Sequence, residues 1–257
     1  MTRLQRYFID APFWQGEKVR IEDDAHHILR VMRYNVGDTI VCIHPEGRSA
    51  ACRITEVHKE GAYVLAEVET WYDEDVELPL SVTIVQSLPK GAKLDLVIQK
   101  ATELGAHQFV LFESSHSVVR WPSKKVKQRL RRYEKIAKEA SEQSGRLMIP
   151  KIQYVEQIET YLEELKAKRA MKLLAYEEEA KSIQRARFAS KLEEVKEGKY
   201  EEIIIAIGPE GGFSEEEVAT FKTYQFVPVR LGKRILRTET ASLYALASIS
   251  YYFEEME

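Results

Sequence analysis

The pattern of apolar and polar positions along the chain changes close to residue 72. Before that point the apolar residues fall into short runs typical of β-strands, namely RYFI, KVRI, DTIVCIH, SAACRITEVH and AYVLAEVETW. One helix is predicted among them at residues 23–34, with Ile28, Leu29, Val31 and Met32 as its apolar stripe. Several short strands with a single helix predict a small β-barrel.

Beyond residue 79 the pattern alternates between strand and helix. Strand-like runs are LSVTIVQ, HQFVLFES, MKLLAYE, IIIAIG and FVPVRLG. Helical spacing covers residues 94–104, 124–143, 155–168, 215–224 and 238–253. Because strands that alternate with helices pair in parallel, we predict an α/β fold with a parallel sheet and helices on both faces. The acidic segment at residues 72–79 separates the two patterns, which predicts domains at residues 1–72 and 73–257.

Two glycine-bearing turns follow apolar runs near the C-terminus. The first, GPEGGFS at residues 208–214, comes directly after IIIAI, and the second, LGKRILRTETA at residues 231–241, comes after FVPV. Loops at the carboxyl ends of parallel strands form small-molecule crevices. We expect Gly211 and Gly212 to adopt positive φ and Pro209 to stiffen the entry. A simple chain turn would account for a single Gly-Gly, but not for two such loops in the same context.

The first turn matches neither nucleotide fingerprint. It lacks the Gly-Lys-Ser/Thr ending of a triphosphate loop, and it is not G-x-G-x-x-G. The carboxylate of Glu210 would repel a phosphate, whereas it suits a ligand with positive charge or with hydroxyl and amine donors. The following S-x-x-E, Ser214 with Glu217, predicts a capping box with a purely structural role.

Four spaced motifs together resemble a known family. GPEGGFS, LGKRILRTETA, SLPKGAKLDLVIQKATELGA (residues 87–106) and KEASEQSGR (residues 138–146) closely resemble the small-subunit ribosomal RNA methyltransferase E family, of the SPOUT class of S-adenosylmethionine enzymes. The resemblance extends from QRYFI at residues 5–9 to the last helix. It implies a SPOUT-type trefoil-knotted, parallel-sheet methyltransferase domain, a small N-terminal PUA-like β-barrel domain that holds RNA, a homodimer, and methylation of N3 of a uridine in 16S rRNA.

The resemblance also implies an S-adenosyl-L-methionine pocket between three segments, LAYE at residues 174–177 and the two glycine turns. A methyl transfer of this kind needs no metal and no covalent intermediate, so the protein must position both partners. The predicted cofactor-binding residues are Leu174, Tyr176, Glu177, Gly208, Pro209, Glu210, Gly211, Gly212, Leu231, Gly232, Ile235, Leu236, Thr240 and Ala241.

Two residues at the start of the last helix are the predicted catalytic pair. Uridine N3 must lose a proton, so positive charge near O2 or O4 would stabilise the transition state. Arg237 is the candidate for that charge, and Glu239 is a candidate base or the partner that orients Arg237. The structural alternatives are an Arg237–Glu239 salt bridge and an acidic residue favoured by the helix dipole, with Thr238 as N-cap.

Charge is unevenly distributed along a chain whose formal net charge is −3. Residues 120–146 contain ten Lys or Arg and three Glu, a net +7 over 27 residues, which favours a phosphate backbone as partner over a solvated helix face. The predicted partner is 16S rRNA or the assembled small subunit. The predicted RNA-binding residues are Arg6, Arg30, Arg33, Lys124, Lys125, Lys127 and Arg146.

Composition limits the remaining possibilities. The 257 residues are 44% hydrophobic and 31% charged, as in ordinary globular proteins, and no stretch approaches the ~20 apolar residues of a membrane span, so a cytoplasmic location is expected. Cys42 and Cys52 lack metal-ligand spacing and are expected to be buried thiols. His26 and His27 point apart on a helix, and we assign no metal.

The last predicted helix, residues 238–253, carries no charge after Glu239 until its end. A single core-facing stripe does not account for this composition, which predicts the centre of a two-fold homodimer interface, with Ala241, Ala245 and Ser248 allowing close approach. Two other functions stay open from the residues alone. One is a non-catalytic RNA-binding assembly factor with the same fold, and the other is a small-molecule transferase.

Overall fold

The computed structural model of the protein describes residues 4–58, 62–176 and 186–256. Contacts divide the chain into two compact units. The first contains the described residues up to Glu77 together with Ser141–Met148, and the second contains Leu78–Ala140 and the described residues from Ile149 onward. The division after Glu77 falls inside the acidic segment at residues 72–79, whereas the inclusion of Ser141–Met148 in the first unit was not expected from the sequence.

A six-stranded sheet forms the first unit. Its strands are β1 (Arg6–Phe8), β2 (Trp14–Gln15), β3 (Lys18–Ile21), β4 (Thr39–His44), β5 (Arg48–His58) and β6 (Tyr63–Tyr72), in the order β1-β4-β5-β6-β3-β2. All neighbouring pairs are antiparallel except β1 with β4. Cys42 and Cys52 are free thiols buried in the core, as expected. The hydrogen bond with Cys52, together with burial, raises the pKa of the Cys42 thiol well above its usual value.

The helix predicted at residues 23–34 is shorter than expected. The structure has one helical turn at His27–Val31, and Arg33 adopts a left-handed backbone conformation with φ of 58° just after it. Ile28 is fully buried, but Val31 is 58% exposed and Met32 37% exposed. The predicted apolar stripe is therefore wrong for Val31 and Met32, because one turn does not present four successive apolar positions to the core.

A seven-stranded sheet in which every neighbouring pair is parallel forms the second unit. Its strands are β7 (Ser81–Ser87), β8 (Gln108–Phe112), β9 (Lys151–Val155), β10 (Met171–Ala175), β11 (Ala186–Arg187), β12 (Glu202–Ile207) and β13 (Val227–Arg230), in the order β11-β13-β10-β12-β7-β8-β9. The helices are α1 (Lys93–Glu103), α2 (Ser123–Ser144), α3 (Ile158–Glu164), α4 (Phe188–Gly198), α5 (Glu215–Thr223) and α6 (Thr238–Ser250), the last followed by one turn at Tyr251–Glu255.

The sheet of the second unit is covered on both faces, which confirms the predicted α/β fold. Along β12, Ile203 and Ile205 belong to one core cluster, and Ile204 and Ala206 belong to the other. The first cluster includes residues of α1, α2, α4 and α6, and the second includes residues of α3 and α5. Alternate side chains of one strand point to opposite faces of the sheet, so a strand that is apolar at every position has buried side chains on both faces. The trefoil knot stays a prediction.

Four elements of the second unit differ from the sequence prediction. Residues 155–168 were predicted as one helix, but the chain forms the edge strand β9 up to Val155 and then the short α3. The strands β9 and β11 and the helix α4 were not predicted. Among the helices that the structure describes, none combines the length and apolar character needed to cross a membrane.

Candidate functional site

Three neighbouring strands of the second unit end side by side. Strand β10 lies between β12 and β13, and all three are parallel. At their carboxyl ends Ala175 is in register with both Ile207 and Val229. The segments that follow these strands, with Tyr176, the first glycine loop (residues 208–214) and the second glycine loop (residues 231–237), therefore begin at the same edge of the sheet. This register brings together the three predicted walls of the cofactor pocket.

Thr238 joins the two glycine loops through its side chain. Its buried hydroxyl donates a hydrogen bond of 2.6 Å to the carbonyl oxygen of Gly208 and accepts one of 2.9 Å from Nε2 of Gln86. The other end of the Gln86 amide accepts a hydrogen bond of 2.7 Å from the hydroxyl of Ser242. The expected N-cap role of Thr238 is wrong, because Arg237 occupies the N-cap position and no side chain caps this helix.

The glycines of the first loop are required for two different reasons. Gly212 has a positive φ of 68°, as expected. Gly211 does not have a positive φ, so that expectation is wrong for this residue. Instead a Cβ at Gly211 would lie 3.0 Å from Cβ of His116, and the Gly211 carbonyl oxygen lies 3.0 Å from Nδ1 of the same histidine. A Cβ at Gly208 would meet the backbone of Gly212 at 3.2 Å. Close approach therefore disfavours side chains at Gly208 and Gly211.

Glu210 is paired with a cation of the protein itself. Its Oε1 lies 2.6 Å from Nζ of Lys93 and accepts a 3.1 Å hydrogen bond from the backbone N–H of Lys90, just before α1. The same ammonium lies 3.6 Å from Oε2 of Glu239, which is buried and has no hydrogen-bond partner among the residues that the structure describes. The interpretation that the Glu210 carboxylate is open to a cationic ligand is therefore incomplete, because Lys93 already neutralises part of its charge.

The protonation of this ion pair is stable over the neutral range. Burial by itself raises the pKa of Glu210, but hydrogen bonds from Lys93 and from the backbone N–H groups of Glu210 and Lys90 outweigh it and hold the pKa below its ordinary 4.5. The hydrogen bond to Glu210 raises the pKa of Lys93 above its ordinary 10.5. The carboxylate contributes stability above its ordinary pKa and loses it as pH falls through the lowered value, and the ammonium loses its contribution only as pH rises through the raised value.

The capping box at the end of the first loop is confirmed. Ser214 accepts from the backbone of Glu217, and the Glu217 carboxylate accepts from the backbone of Ser214. Glu217 also accepts a 2.8 Å hydrogen bond from the backbone N–H of Ser115, which lies in the segment after β8. The capping box therefore also attaches the start of α5 to the segment that carries His116.

Four side chains of the second loop are open to solvent, whereas Leu231 at its start is buried. Lys233, Arg234 and Arg237 are exposed, and Ile235 is 80% exposed. Within the part of the chain that the structure describes, none of these four side chains forms a hydrogen bond or an ion pair. The Arg237–Glu239 salt bridge considered as an alternative is not formed, since Glu239 faces Lys93. Gly232 has a positive φ of 84°.

The remaining predicted pocket residues differ in what they offer a ligand. Leu174 is fully buried in the core, in a strand that is paired on both sides, so it offers a ligand no exposed surface. Leu231 and Ala241 are also buried. Exposed or partly exposed predicted residues are Tyr176, Gly208, Glu210, Gly211, Gly212, Gly232, Leu236 and Thr240, and Pro209 is buried. Glu177 lies outside the described residues.

The predicted RNA-binding residues fall into two groups. In the first unit Arg6 pairs with Glu74 at 2.5 Å, and Arg146, only 4% exposed, pairs with Glu77 at 2.5 Å. These two guanidinium groups thus have carboxylate partners inside their own unit. The exposed predicted cations are Arg30 and Arg33 of the first unit and Lys124, Lys125 and Lys127 at the start of α2.

Sequence reasoning missed Lys93, His116 and Gln86, which contact the glycine loops or Thr238. Each belongs to a segment near the end of β7 or β8, and its partner lies between 95 and 152 residues away along the chain. Lys93 lies inside the motif at residues 87–106, which was the available signal. The described residues contain no cluster of three or more His, Cys, Asp or Glu able to hold a metal ion.

Comparison with known proteins defines the class. A family model described as an RNA methyltransferase domain matches residues 76–250, and one described as an RNA methyltransferase PUA domain matches residues 21–67. The glycine loops and the parallel sheet all lie in the segment matched by the first model. The fold and the site are therefore those of an RNA methyltransferase with an additional PUA domain.

Individual relatives narrow the assignment. The ribosomal RNA small subunit methyltransferase E of Bacillus subtilis is 41% identical over 255 residues, which is 98% of each chain. The protein of the same name from Mycobacterium tuberculosis is 30% identical and covers 88% of this chain and 83% of its own length. The crystal structure of this methyltransferase from Neisseria gonorrhoeae, bound to S-adenosyl methionine, matches with a TM-score of 0.80 at 29% identity over 98% of both chains. The chain belongs to the ribosomal RNA small subunit methyltransferase E family.

Proposed function

We propose that this protein transfers a methyl group from S-adenosyl-L-methionine to N3 of a uridine in 16S rRNA of the small ribosomal subunit. The observation that carries the proposal is that β10, β12 and β13 end side by side, in register at Ala175, Ile207 and Val229, so that both glycine loops begin at the same edge of the sheet. The carboxyl ends of neighbouring parallel strands are where α/β proteins bind ligands. Such a substrate places the protein in the cytoplasm.

The residues at these loops suit S-adenosyl-L-methionine, which supplies the methyl group as a sulfonium and carries a net positive charge. Glu210 and Glu239 share the single cation Lys93, which leaves one negative charge between the loops. Ile235, 80% exposed, offers apolar surface for the adenine. The backbone of the first loop is accessible because Gly208 and Gly211 carry no side chains. We assign the fourteen pocket residues predicted from the sequence to this pocket, with Leu174 supporting it from the core.

Arg237 is the residue we propose to act on the base. Its guanidinium is exposed and has no partner within the described residues, so its charge is available to an anion that develops on O2 or O4 as N3 loses its proton. Glu239 is the second proposed catalytic residue. Because Lys93 holds its carboxylate, we favour Glu239 as the residue that orients the loop rather than the base that accepts the N3 proton.

The RNA is proposed to contact the start of α2. Lys124, Lys125 and Lys127 are exposed, and Lys127 lines a groove of about 510 Å³ together with Arg131 and Tyr154. Two glutamates, Glu134 and Glu156, also line this groove, so we assign the phosphate contacts to the lysines and not to the groove as a whole. Arg30 and Arg33 of the first unit are the other proposed phosphate contacts. Arg6 and Arg146 are weaker candidates because Glu74 and Glu77 hold them.

We also propose a homodimer formed through α6. Its buried stripe of Ala241, Ala245 and Ile249 packs in the core of its own unit. The expected role of Ala241 and Ala245 in close approach of a partner helix is therefore wrong. Tyr244, 40% exposed, and Tyr251, 62% exposed, lie on the opposite side and are the better contacts. Tyr251→Arg should yield monomers in light scattering without loss of thermal stability, and a native monomer for the unmodified protein would refute the dimer.

Two measurements test the enzyme against the alternative of a non-catalytic assembly factor. Titration with S-adenosyl-L-methionine by calorimetry should show saturable binding. Mass mapping of 16S rRNA from a deletion strain should show the loss of one methyl group at a uridine, restored by complementation with this chain. Isolated subunits and naked 16S rRNA, compared as substrates in vitro, decide which form of the RNA is methylated. Absence of cofactor binding would favour the assembly factor.

Neutralising Lys124, Lys125 and Lys127 together tests the RNA surface. Affinity for RNA should fall, and the slope of log affinity against log salt should flatten by about 2, since each phosphate contact contributes roughly 0.7–0.9 to that slope. Affinity for S-adenosyl-L-methionine should not change. An unaltered salt slope would mean that the three lysines do not contact RNA and only form a solvent-exposed helix face.

A further inference from the structure

One ammonium group contacts the first glycine loop and the helix turn that directly follows the second glycine loop. Nζ of Lys93, in the first turn of α1, lies 2.6 Å from Oε1 of Glu210 and 3.6 Å from Oε2 of Glu239. Glu210 belongs to the first glycine loop, and Glu239 follows the second one in the first turn of α6. The side chains of Lys93 and Glu210 are each 28% exposed and that of Glu239 is 13% exposed. These contacts are partly shielded from water. Charges in such a partly buried environment interact more strongly than charges on an open surface.

The arrangement brings two carboxylates close to a single cation. Without Lys93, Glu210 and Glu239 would repel each other across the place where the two loops meet. Thr238 is a second link between these segments, and it attaches the start of α6 to Gly208 by a neutral hydrogen bond. One charged contact and one neutral contact therefore join the first loop to the helix start that directly follows the second loop.

A comparison within α1 separates this lysine from an ordinary surface cation. Lys100, on the same helix, pairs at 2.8 Å with Glu103, three residues further along. A pair of that kind stabilises only the helix that carries it. The partner of Lys93 lies 117 residues away in the sequence, in the segment that forms a wall of the pocket.

We propose that Lys93 is a positioning residue for the methyl transfer. Its ammonium holds Glu210 and Glu239 together, and through them it sets the spacing of the two glycine loops between which the cofactor binds. The proposal rests on the proposed function, because it concerns the binding of S-adenosyl-L-methionine at those loops. Loss of the ammonium should weaken cofactor binding more than it slows the reaction at saturating cofactor, since Lys93 acts through the loops and not on the reacting atoms.

The test compares three variants of the full-length protein by calorimetry with S-adenosyl-L-methionine, by steady-state kinetics with rRNA and by thermal unfolding. Lys93→Met, which keeps the length and removes the charge, should raise Kd and KM for the cofactor about tenfold or more, with a smaller change in kcat. Lys93→Arg should stay within about threefold of the unmodified protein, because the charge is kept. Lys100→Met is the matched control and should leave Kd, KM and kcat unchanged.

A double variant tests the electrostatic cause. Adding Glu239→Gln to Lys93→Met removes one of the two repelling charges, and part of the lost cofactor affinity should return. If Lys93→Met does not fold, Glu210→Gln breaks the same contact from the other side and should also raise Kd. Unchanged cofactor affinity in the folded Lys93→Met or Glu210→Gln variant overturns the proposal, as does an equal loss in Lys93→Arg. An unmodified protein that binds no cofactor overturns the proposed function instead.

Discussion

The two glycine loops at the edge of the parallel sheet differ in how firmly the protein holds them. In the first loop, Gly208 receives a hydrogen bond from Thr238, Glu210 pairs with Lys93, and Gly211 contacts His116. In the second loop, Lys233, Arg234 and Arg237 are exposed and have no partner among the described residues. Ile235, beside them, is 80% exposed. The same chemical motif, glycine after a strand, thus forms one anchored wall and one open wall.

The difference suggests that the two loops have different roles in the reaction. An anchored loop has little conformational entropy left to lose when a ligand binds, so it suits the recognition of a cofactor that enters in every cycle. In a loop with unpaired cations, the positive charge is available to stabilise negative charge that develops on the second substrate, the RNA. Substitutions in the anchored loop should therefore affect cofactor affinity, and substitutions of the free cations of the open loop should affect turnover or nothing.

Arg237→Ala should produce the largest effect and tests the open loop. If the guanidinium acts mainly in the transition state, kcat should fall by about 10²–10³, as for the loss of one charge-stabilising donor in other enzymes. Affinity for S-adenosyl-L-methionine should change less than about threefold. Rates of rRNA methylation give kcat, and calorimetry gives the Kd for S-adenosyl-L-methionine. Equal losses in both would show that Arg237 shapes the pocket, which would remove the distinction between the loops.

Gly211→Val should produce the next largest effect and tests the anchored loop. A Cβ at this position lies 3.0 Å from Cβ of His116, so the branched side chain must displace the histidine or the loop. Overpacking of this kind costs about 1–3 kcal/mol, and we expect cofactor affinity to fall by roughly 10–100-fold. In the milder variant Gly211→Ala, adding His116→Gly should restore part of the affinity. Absence of any restoration would contradict the clash as the cause.

Thr238→Val should have an intermediate effect on stability. The substitution keeps the shape but leaves the carbonyl of Gly208 and the amide of Gln86 without their 2.6 and 2.9 Å hydrogen bonds. Buried polar groups left unpaired cost about 1–3 kcal/mol, to be measured by chemical denaturation. Thr220→Val is the matched control, since the Thr220 hydroxyl donates to the Glu216 carbonyl on an exposed helix face. Similar losses in both variants would argue against a special link at Thr238.

The double variant Lys233→Ala/Arg234→Ala should have the smallest effect. Both side chains are exposed and unpaired within the described residues, so the free energy of unfolding should stay within about 0.5 kcal/mol and cofactor affinity should not change. Thermal unfolding and calorimetry suffice to check this. A large loss of cofactor affinity would mean that the second loop is held more firmly than its contacts indicate.

Local pattern was sufficient for much of the fold. The run IIIAI is apolar at every position, and it forms β12, whose side chains are buried on both faces. The S-x-x-E signal at Ser214 forms its capping box, because both hydrogen bonds are made within four residues. The pattern was insufficient at residues 151–168. There the edge strand β9, with alternating apolar positions, is followed closely by the short helix α3. Because the apolar spacing of α3 is helical, the end of β9 was included in the predicted helix.

The candidate site also has a part that the sequence predicted and a part that it did not. The two glycine loops were visible in the sequence, because glycine after an apolar strand is a local signal. The partners that hold the first loop were not, since Lys93 and Gln86 meet Glu210 and Thr238 across 117 and 152 residues. The pairing of Arg146 with Glu77 was hidden for the same reason, as 69 residues separate them.

The sequence by itself determined most of the strands and helices and both glycine turns, since spacing of apolar residues and turn chemistry act over a few positions. Only the tertiary structure decided that β10 lies between β12 and β13, in register at Ala175, and so which loops meet. It also decided which charges are neutralised within the protein, as at Lys93 and Arg146, and which stay free, as at Arg237. Coulombic and hydrogen-bonding contacts depend on distance in space, and distance in space between remote residues is set by the packing of the whole sheet.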